Sequence, residues 1–339
     1  MFKDLFSLKG RVALVTGGSR GIGKMIASGF LAQGAAKVYI TARKAGPCEA
    51  TAKELTAQYD GECIALPIDM STVAGCKLLA DEFMKHESKL DILVNNAGAA
   101  WGSTFDEFPE AGWDKVMNLN VKSLFFLTQA LAKPLRAAAS AKTPGKVINI
   151  ASIDGLSVNP METYSYQASK AAVIHLTRRM AAKLIQDNIN VTAICPGAFE
   201  SDMNTAARDH GDTIAKKIPS RRIGTPEDMA GIAIYLASRA GDYVVGNAIA
   251  VDGGIVYANL SLPVSGEEHS SSLREAVGFR LRKPTATKQS STLSGLSTMK
   301  VLCLYRCEPK SRIASSRRFS RNPSRPAMTS VMAPQYVST

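Results

Sequence analysis

Histidine, cysteine and tryptophan are scarce here: four, six and two among 339 residues. Six cysteines in so long a chain do not make a disulfide framework. Cys303 and Cys307 lie four apart without a second Cys/His pair, and His86, His175, His210 and His269 are scattered. No metal site is expected, because structural and catalytic metals need clustered ligands. A long hydrophobic run is also missing, which excludes a membrane-spanning helix. The opening residues, MFKDLFSLKG, mix charges with apolar residues and carry no small-residue cleavage site, so no secretory signal is expected and the cytoplasm is the expected compartment.

An acid excess is lacking too, but the net charge of +12 is unevenly spread. Residues 261–339 hold 13 Lys/Arg against 4 Asp/Glu, and residues 1–260 hold 28 against 25. The larger part is close to balance, so neither a nucleic acid nor a membrane surface is expected as its partner.

What is present is an alternation. Short β-branched runs end in glycine or small polar residues and are followed by helical patterns. The runs are 11–17 (RVALVTG), 37–43 (KVYITAR), 62–70 (ECIALPIDM), 91–98 (DILVNNAG), 146–152 (KVINIAS), 190–197 (NVTAICPG) and 248–254 (AIAVDGG). Helices are expected over 25–35, 48–59, 72–87, 112–139, from Tyr166 onward, and over 225–238, the last with Thr225 as N-cap and Pro226 in its first turn. Residues 198–222 are polar and irregular and read as a mobile lid. The expected fold is α/β: a Rossmann-like, doubly wound, seven-stranded parallel sheet in a single domain of residues 1–258. A basic Ser/Arg-rich tail follows over 259–339.

The first run leads into Gly17-Gly18-Ser19-Arg20-Gly21-Ile22-Gly23. Glycines there let the backbone approach a pyrophosphate, and the following helix offers unpaired N–H groups. The spacing is G-x-x-x-G-x-G rather than G-x-G-x-x-G. A carboxylate for the adenosine ribose is absent after the second run, where Ala42 and Arg43 stand. Arg43 and Arg20 can instead meet a 2′-phosphate, so NADP(H) is the expected cofactor. Asp69 can accept from an adenine amino group. Tyr166 and Lys170 are one helical turn apart, and an ammonium beside a phenol makes the phenolate easier to form. Tyr166 is thus a candidate proton carrier.

These residues resemble the short-chain dehydrogenase/reductases over about Leu8 to Tyr257. The match runs Thr16-Gly17-x3-Gly21-x-Gly23, Asn95-Asn96-Ala97-Gly98, Asn120, Ser152, Tyr166-x3-Lys170, Pro196-Gly197, in that order. Within the family the chain is most similar to the 3-oxoacyl-thioester reductases. The resemblance implies Tyr166 as general acid, with Lys170 lowering its pKa and holding the nicotinamide ribose. It implies Ser152 on the carbonyl oxygen and Asn120 behind a water relay to Lys170. It also implies cofactor contacts from Ser19, Ile22, Met70, Asn96, Ala97, Gly98, Pro196, Gly197 and Ser201, and a homodimer or homotetramer. Substrates so implied are thioesters of coenzyme A or acyl carrier protein. Another ketone or secondary alcohol, or a catalytically silent NADP(H)-binding sensor, are the alternatives.

Two departures stand out. The Ser152–Tyr166 interval is one residue longer than in the bacterial fatty-acid reductases, so the loop between them is reshaped. Where those enzymes carry an arginine for the carrier protein, this chain has Asp187. Tyr164 is a decoy phenol, since Ala168 is its +4 neighbour, and Cys195 is a packed thiol. Lys216, Lys217, Arg221 and Arg222 share the lid with Glu200, Asp202, Asp209 and Asp212, and read as a solvated charged loop. Residues 261–339 hold 16 serines and no sustained apolar period, so disorder is expected. An extension absent from the mature protein, a basic arm, or a regulatory site at Arg317-Arg318-Phe319-Ser320 are the readings open there.

Overall fold

A computed structural model describes residues 2–200 and 211–258, all within a compact unit of Met1–Val264. The expectations for Ser201 and for the tail lie outside the described residues.

Seven parallel strands form one sheet in the order β3-β2-β1-β4-β5-β6-β7. They are β1 (Val12–Thr16), β2 (Lys37–Thr41), β3 (Glu62–Leu66), β4 (Ile92–Asn95), β5 (Gly145–Ile150), β6 (Ile189–Pro196) and β7 (Ala248–Val251). Every residue of β4, β5 and β6 is buried. That is why these segments read as unbroken apolar runs rather than alternating ones. Helices cover both faces. One layer of the core joins Phe30, Ile40, Ile194 and Leu236; the other joins Phe83, Leu93, Leu127 and Val173.

The helices are α1 (Gly21–Ala32), α2 (Ala45–Gln58), α3 (Val73–His86), α4 (Glu110–Met117), α5 (Ser123–Ala130), α6 (Ala132–Ala138), α7 (Tyr164–Leu184), α8 (Gly211–Ala215) and α9 (Pro226–Ala237). α1 begins four residues before the expected start, because the glycine turn feeds directly into its first turn. The third strand stops at Leu66, before Pro67, which has no N–H for the ladder. α9 starts as expected: Thr225 and Asp228 form a reciprocal capping box, with Pro226 at the first position.

The single long helix expected over 112–139 is corrected. It is split into α4, a π-helical turn Asn118–Lys122, α5 and α6. The break at Leu131 follows from Pro134, whose ring excludes the carbonyl one turn back and which cannot donate to it. The segment expected as an irregular lid also differs. Its described ends are packed: Phe199 and Ile218 are buried, and 211–215 is helical.

At the amino edge of the sheet, Lys146 is the second residue of β5, its side chain almost wholly buried, and its Nζ donates to Asp242 Oδ1 at 2.7 Å. Burial pushes this ammonium below the usual lysine range, and Asp242 pulls it part-way back. Truncating one partner strands the other. Lys146→Ala is therefore expected to cost about 3 kcal/mol in chemical denaturation. Lys146→Met, which refills the volume, is expected to cost clearly less.

Candidate active site

The carboxyl ends of β1 and β4 are neighbours although their connections leave to opposite sides. Open α/β sheets bind ligands at such a switch point. Thr16 closes β1 there. Its Oγ1 donates to Val94 O at 3.3 Å and accepts from the N–H groups of Asn96 and Ala97, both at 2.9 Å. The Asn96 amide returns hydrogen bonds to the carbonyls of Thr16 and Gly17. The Asn96-Ala97-Gly98 turn is thereby stitched to the glycine turn.

Gly17 has φ +64° and Gly21 φ +51°. A Cβ on Gly17 would stand 3.0 Å from the Asn96 amide, and one on Gly23 would collide with the Gly17 carbonyl. Only glycine permits this approach of turn, strand and helix. The result is an open cradle at the amino end of α1, where Gly21, Ile22 and Gly23 place their N–H groups, and it fits a pyrophosphate. Arg20 caps the helix from outside with an exposed side chain, and Ser19 is tied through its carbonyl to Thr51. Arg43 is exposed just beyond β2. Asp69 is exposed beyond β3, its Oδ1 accepting from the Ser71 N–H, while Met70 is buried. Pro196 ends β6, and Gly197 donates to Val251 O beside Asp252. These residues line one sheet edge.

The other candidates gather at the same edge. Ser152 leaves the end of β5, and its Oγ accepts from the Asp154 N–H at 3.1 Å. That leaves its own O–H to donate elsewhere. Tyr166 sits in the first turn of α7, where the Ser152 hydroxyl acts on its phenol. Lys170 lies one turn further on and is buried, with Nζ 2.9 Å from Ile150 O and 5.4 Å from the centroid of the Tyr166 ring. Burial pulls the Lys170 ammonium down to about 8. Burial also pushes the Tyr166 phenol up to about 12, although the Ser152 hydrogen bond opposes this. Among the protein's own groups, burial is the largest influence on this phenol, and it raises it. A phenol held protonated suits a proton donor.

Asn120 occupies the π-helical turn and is buried. Its amide accepts from Ala99 N at 2.8 Å and donates to Ala99 O and Ser169 Oγ, each at 2.9 Å. It therefore ties the loop after β4 to α7, with both amide hydrogens engaged there. The helix around it takes the form of the wider π turn.

Two residues were not singled out from sequence. Glu162 accepts from Phe105 N and from Tyr164 Oη, which joins the loop after β4 to the loop before α7. Asp154 donates its N–H to Ser152 and acts electrostatically on Lys170. Neither belongs to a local pattern, so only the tertiary contact reveals them. Tyr164 is indeed outside the reacting group: it stacks edge-on with Phe105 and Phe108 at 5.6 and 5.7 Å. Cys195 is buried, its thiol pushed up to about 11. No cluster of metal-ligating side chains occurs among the described residues.

Comparison with known proteins finds relatives that span the described sheet. A family model for short chain dehydrogenases matches residues 11–212. The rhamnolipids biosynthesis 3-oxoacyl-[acyl-carrier-protein] reductase of Pseudomonas aeruginosa is 48% identical over 252 residues, which cover 74% of this chain and 97% of that protein. The 2-dehydro-3-deoxy-D-gluconate 5-dehydrogenase of Dickeya dadantii is 40% identical over 258 residues, or 75% of this chain and 98% of that one. Among solved structures, a Pseudomonas aeruginosa RhlG/NADP active-site complex is 48% identical with a TM-score of 0.71, covering 74% of this chain and 98% of that chain.

Removing the Asn120 amide leaves both polar groups of Ala99 without their partners. Asn120→Ala is expected to lower stability by about 2 kcal/mol in urea denaturation. Hydrogen exchange at Ala99 is expected to rise well above that of the sheet.

Proposed function

The chain belongs to the short chain dehydrogenase family, and on that premise we propose that residues 1–258 form an NADPH-dependent reductase converting a ketone to a secondary alcohol. The carrying observation is the Ser152–Tyr166–Lys170 group, assembled at the same sheet edge as the glycine cradle.

When bound, NADPH supplies a hydride to the carbonyl carbon. The chain's own residues do the rest. The glycine turn and the amino end of α1 hold the pyrophosphate. Arg43 and Arg20 favour the 2′-phosphate, with no carboxylate at Ala42 or Arg43 to prefer NAD. The Ser152 hydroxyl donates to the carbonyl oxygen and orients it. Tyr166 passes its phenolic proton to that oxygen as negative charge develops there. The Lys170 ammonium stabilises the resulting phenolate and holds the nicotinamide ribose. Asn120 keeps the loop after β4 at a fixed distance from α7.

For the substrate we favour a 3-oxoacyl thioester. The loops after β4 and before α7 expose Phe105, Val158 and Met161, and carry Asp106, Glu107 and Glu162. An uncharged acyl chain suits this rim better than a sugar acid does. The relative named for 2-dehydro-3-deoxy-D-gluconate keeps a keto-acid substrate as the second reading. Asp187 is paired with Arg136 at 2.9 Å, which weighs against carrier-protein docking there and towards a coenzyme A thioester. A homo-oligomer is proposed from the resemblance. Among the described residues no helix is long and apolar enough to cross a membrane.

Purified protein is expected to oxidise NADPH faster than NADH with a 3-oxoacyl thioester, and faster with that than with a keto-sugar acid. Absorbance at the nicotinamide band reads both. Tyr166→Phe is expected to lose about 10³-fold in kcat. The pH profile has a definite sign. Lys170 must be charged and deprotonates as pH rises through about 8, so kcat/KM for reduction falls above that pH. Tyr166, at about 12, stays protonated throughout and adds no limb below it. Undiminished turnover by Tyr166→Phe would refute the mechanism.

A further inference from the structure

The loop between Ser152 and Tyr166 is fastened by a chain of side-chain hydrogen bonds. Asp154 Oδ1 accepts from Asn159 Nδ2 at 2.7 Å. Asn159 Oδ1 accepts from Met161 N at 2.8 Å and from Gln167 Nε2 at 3.3 Å. Gln167 lies on α7 beside Tyr166, so the staple runs from the serine end of the loop to the catalytic helix.

The first turn of this loop lies directly on that helix. It is a single 3-10 turn, Ile153–Gly155, with Ser152 as its cap. A Cβ on Gly155 would fall 2.6 Å from the carbonyl carbon of Lys170 and 2.7 Å from Ala171 N. Glycine alone lets the turn come this close, and the approach brings the neighbouring Asp154 within electrostatic reach of Lys170.

We propose that Asp154 is a positioning residue of this site: its N–H fixes the Ser152 hydroxyl, and its carboxylate, clamped by Asn159, keeps Lys170 an ammonium. The proposal rests on the reductase reading above and adds the group that maintains the charge state it requires.

Among the described residues, three titratable groups bear on Lys170. On its own helix it has the Tyr166 phenol, neutral at working pH. From β6 it has Cys195, whose thiol burial keeps neutral. From the 3-10 turn it has Asp154. Among these, only Asp154 is a carboxylate. Burial opposes its ionisation, while the Asn159 donor and Lys170 favour it. Without Asp154, desolvation of Lys170 would meet less opposition. The lysine would then lose its proton at a lower pH, and reduction would fail earlier as pH rises.

The test uses the full chain with lysine labelled at 13Cε, the Lys170 signal being assigned by its loss in Lys170→Arg. In the unsubstituted protein its titration midpoint is expected near 8. In Asp154→Asn, which keeps the shape and the backbone donor, the midpoint is expected about one pH unit lower. The descending limb of kcat/KM for NADPH-driven reduction of a 3-oxoacyl thioester should move with it, while the low-pH plateau falls by no more than about threefold. An unmoved midpoint would overturn the proposal, as would a lowered plateau with an unmoved limb, which marks a merely structural role. A shifted midpoint in a protein that turns over no ketone would uphold the role of Asp154 and refute the reductase reading instead. Should Asp154→Asn not fold, Asn159→Leu decides. Losing that donor weakens the carboxylate's ionisation, and a smaller shift in the same direction is expected; no shift would overturn the proposal.

Discussion

A lysine ammonium is buried at the carboxyl edge of the sheet, and much of the local structure answers to that single charge. Burying a charge without partners is prohibitive. Lys170 is tolerated because Ile150 O accepts from it at 2.9 Å, the Tyr166 ring lies 5.4 Å away, and Asp154 acts on it electrostatically. The residual cost appears as its depressed pKa. That cost is functionally apt, because a poorly solvated ammonium responds strongly to negative charge developing on a nearby oxygen.

The position of that charge is set by the parallel sheet. β5 delivers Ser152 and Ile150, β1 delivers the glycine turn, and β4 delivers the Asn96–Gly98 turn. All three end at one edge because every strand points the same way. Thr16 and Asn120 then do comparable jobs at two seams. Thr16 locks the β4 turn to the β1 turn, and Asn120 locks the loop after β4 to α7. Small polar side chains thereby set separations on which the proposed proton transfer depends.

Sequence disclosed the strands well, since buried parallel strands are continuous β-branched runs, and NVTAICPG or KVINIAS admits few other readings. It also disclosed the glycine cradle, the Tyr166–Lys170 turn and the Thr225 cap, because each is a short-range pattern. The division of the 112–139 stretch was less visible. Pro134 is a local signal for the break at Leu131, but the π turn around Asn120 arises from its partners Ala99 and Ser169, distant in sequence. Asp154 and Glu162 were invisible for the same reason. An isolated carboxylate in a loop looks solvated until the fold brings Lys170 or Phe105 beside it. Spacing reports the neighbouring Lys170 ammonium, whereas the burial that raises the Tyr166 phenol depends on the whole site.

The most direct measurement of the central claim is isotope transfer. The protein would be incubated with a 3-oxoacyl thioester and NADPH deuterated at the transferring C4 position, and the alcohol examined by mass spectrometry. One deuterium on the carbinol carbon is predicted, with the hydroxyl proton coming from solvent. NADPH binding with no deuterium in any alcohol product, across thioester and keto-acid substrates alike, would contradict the account.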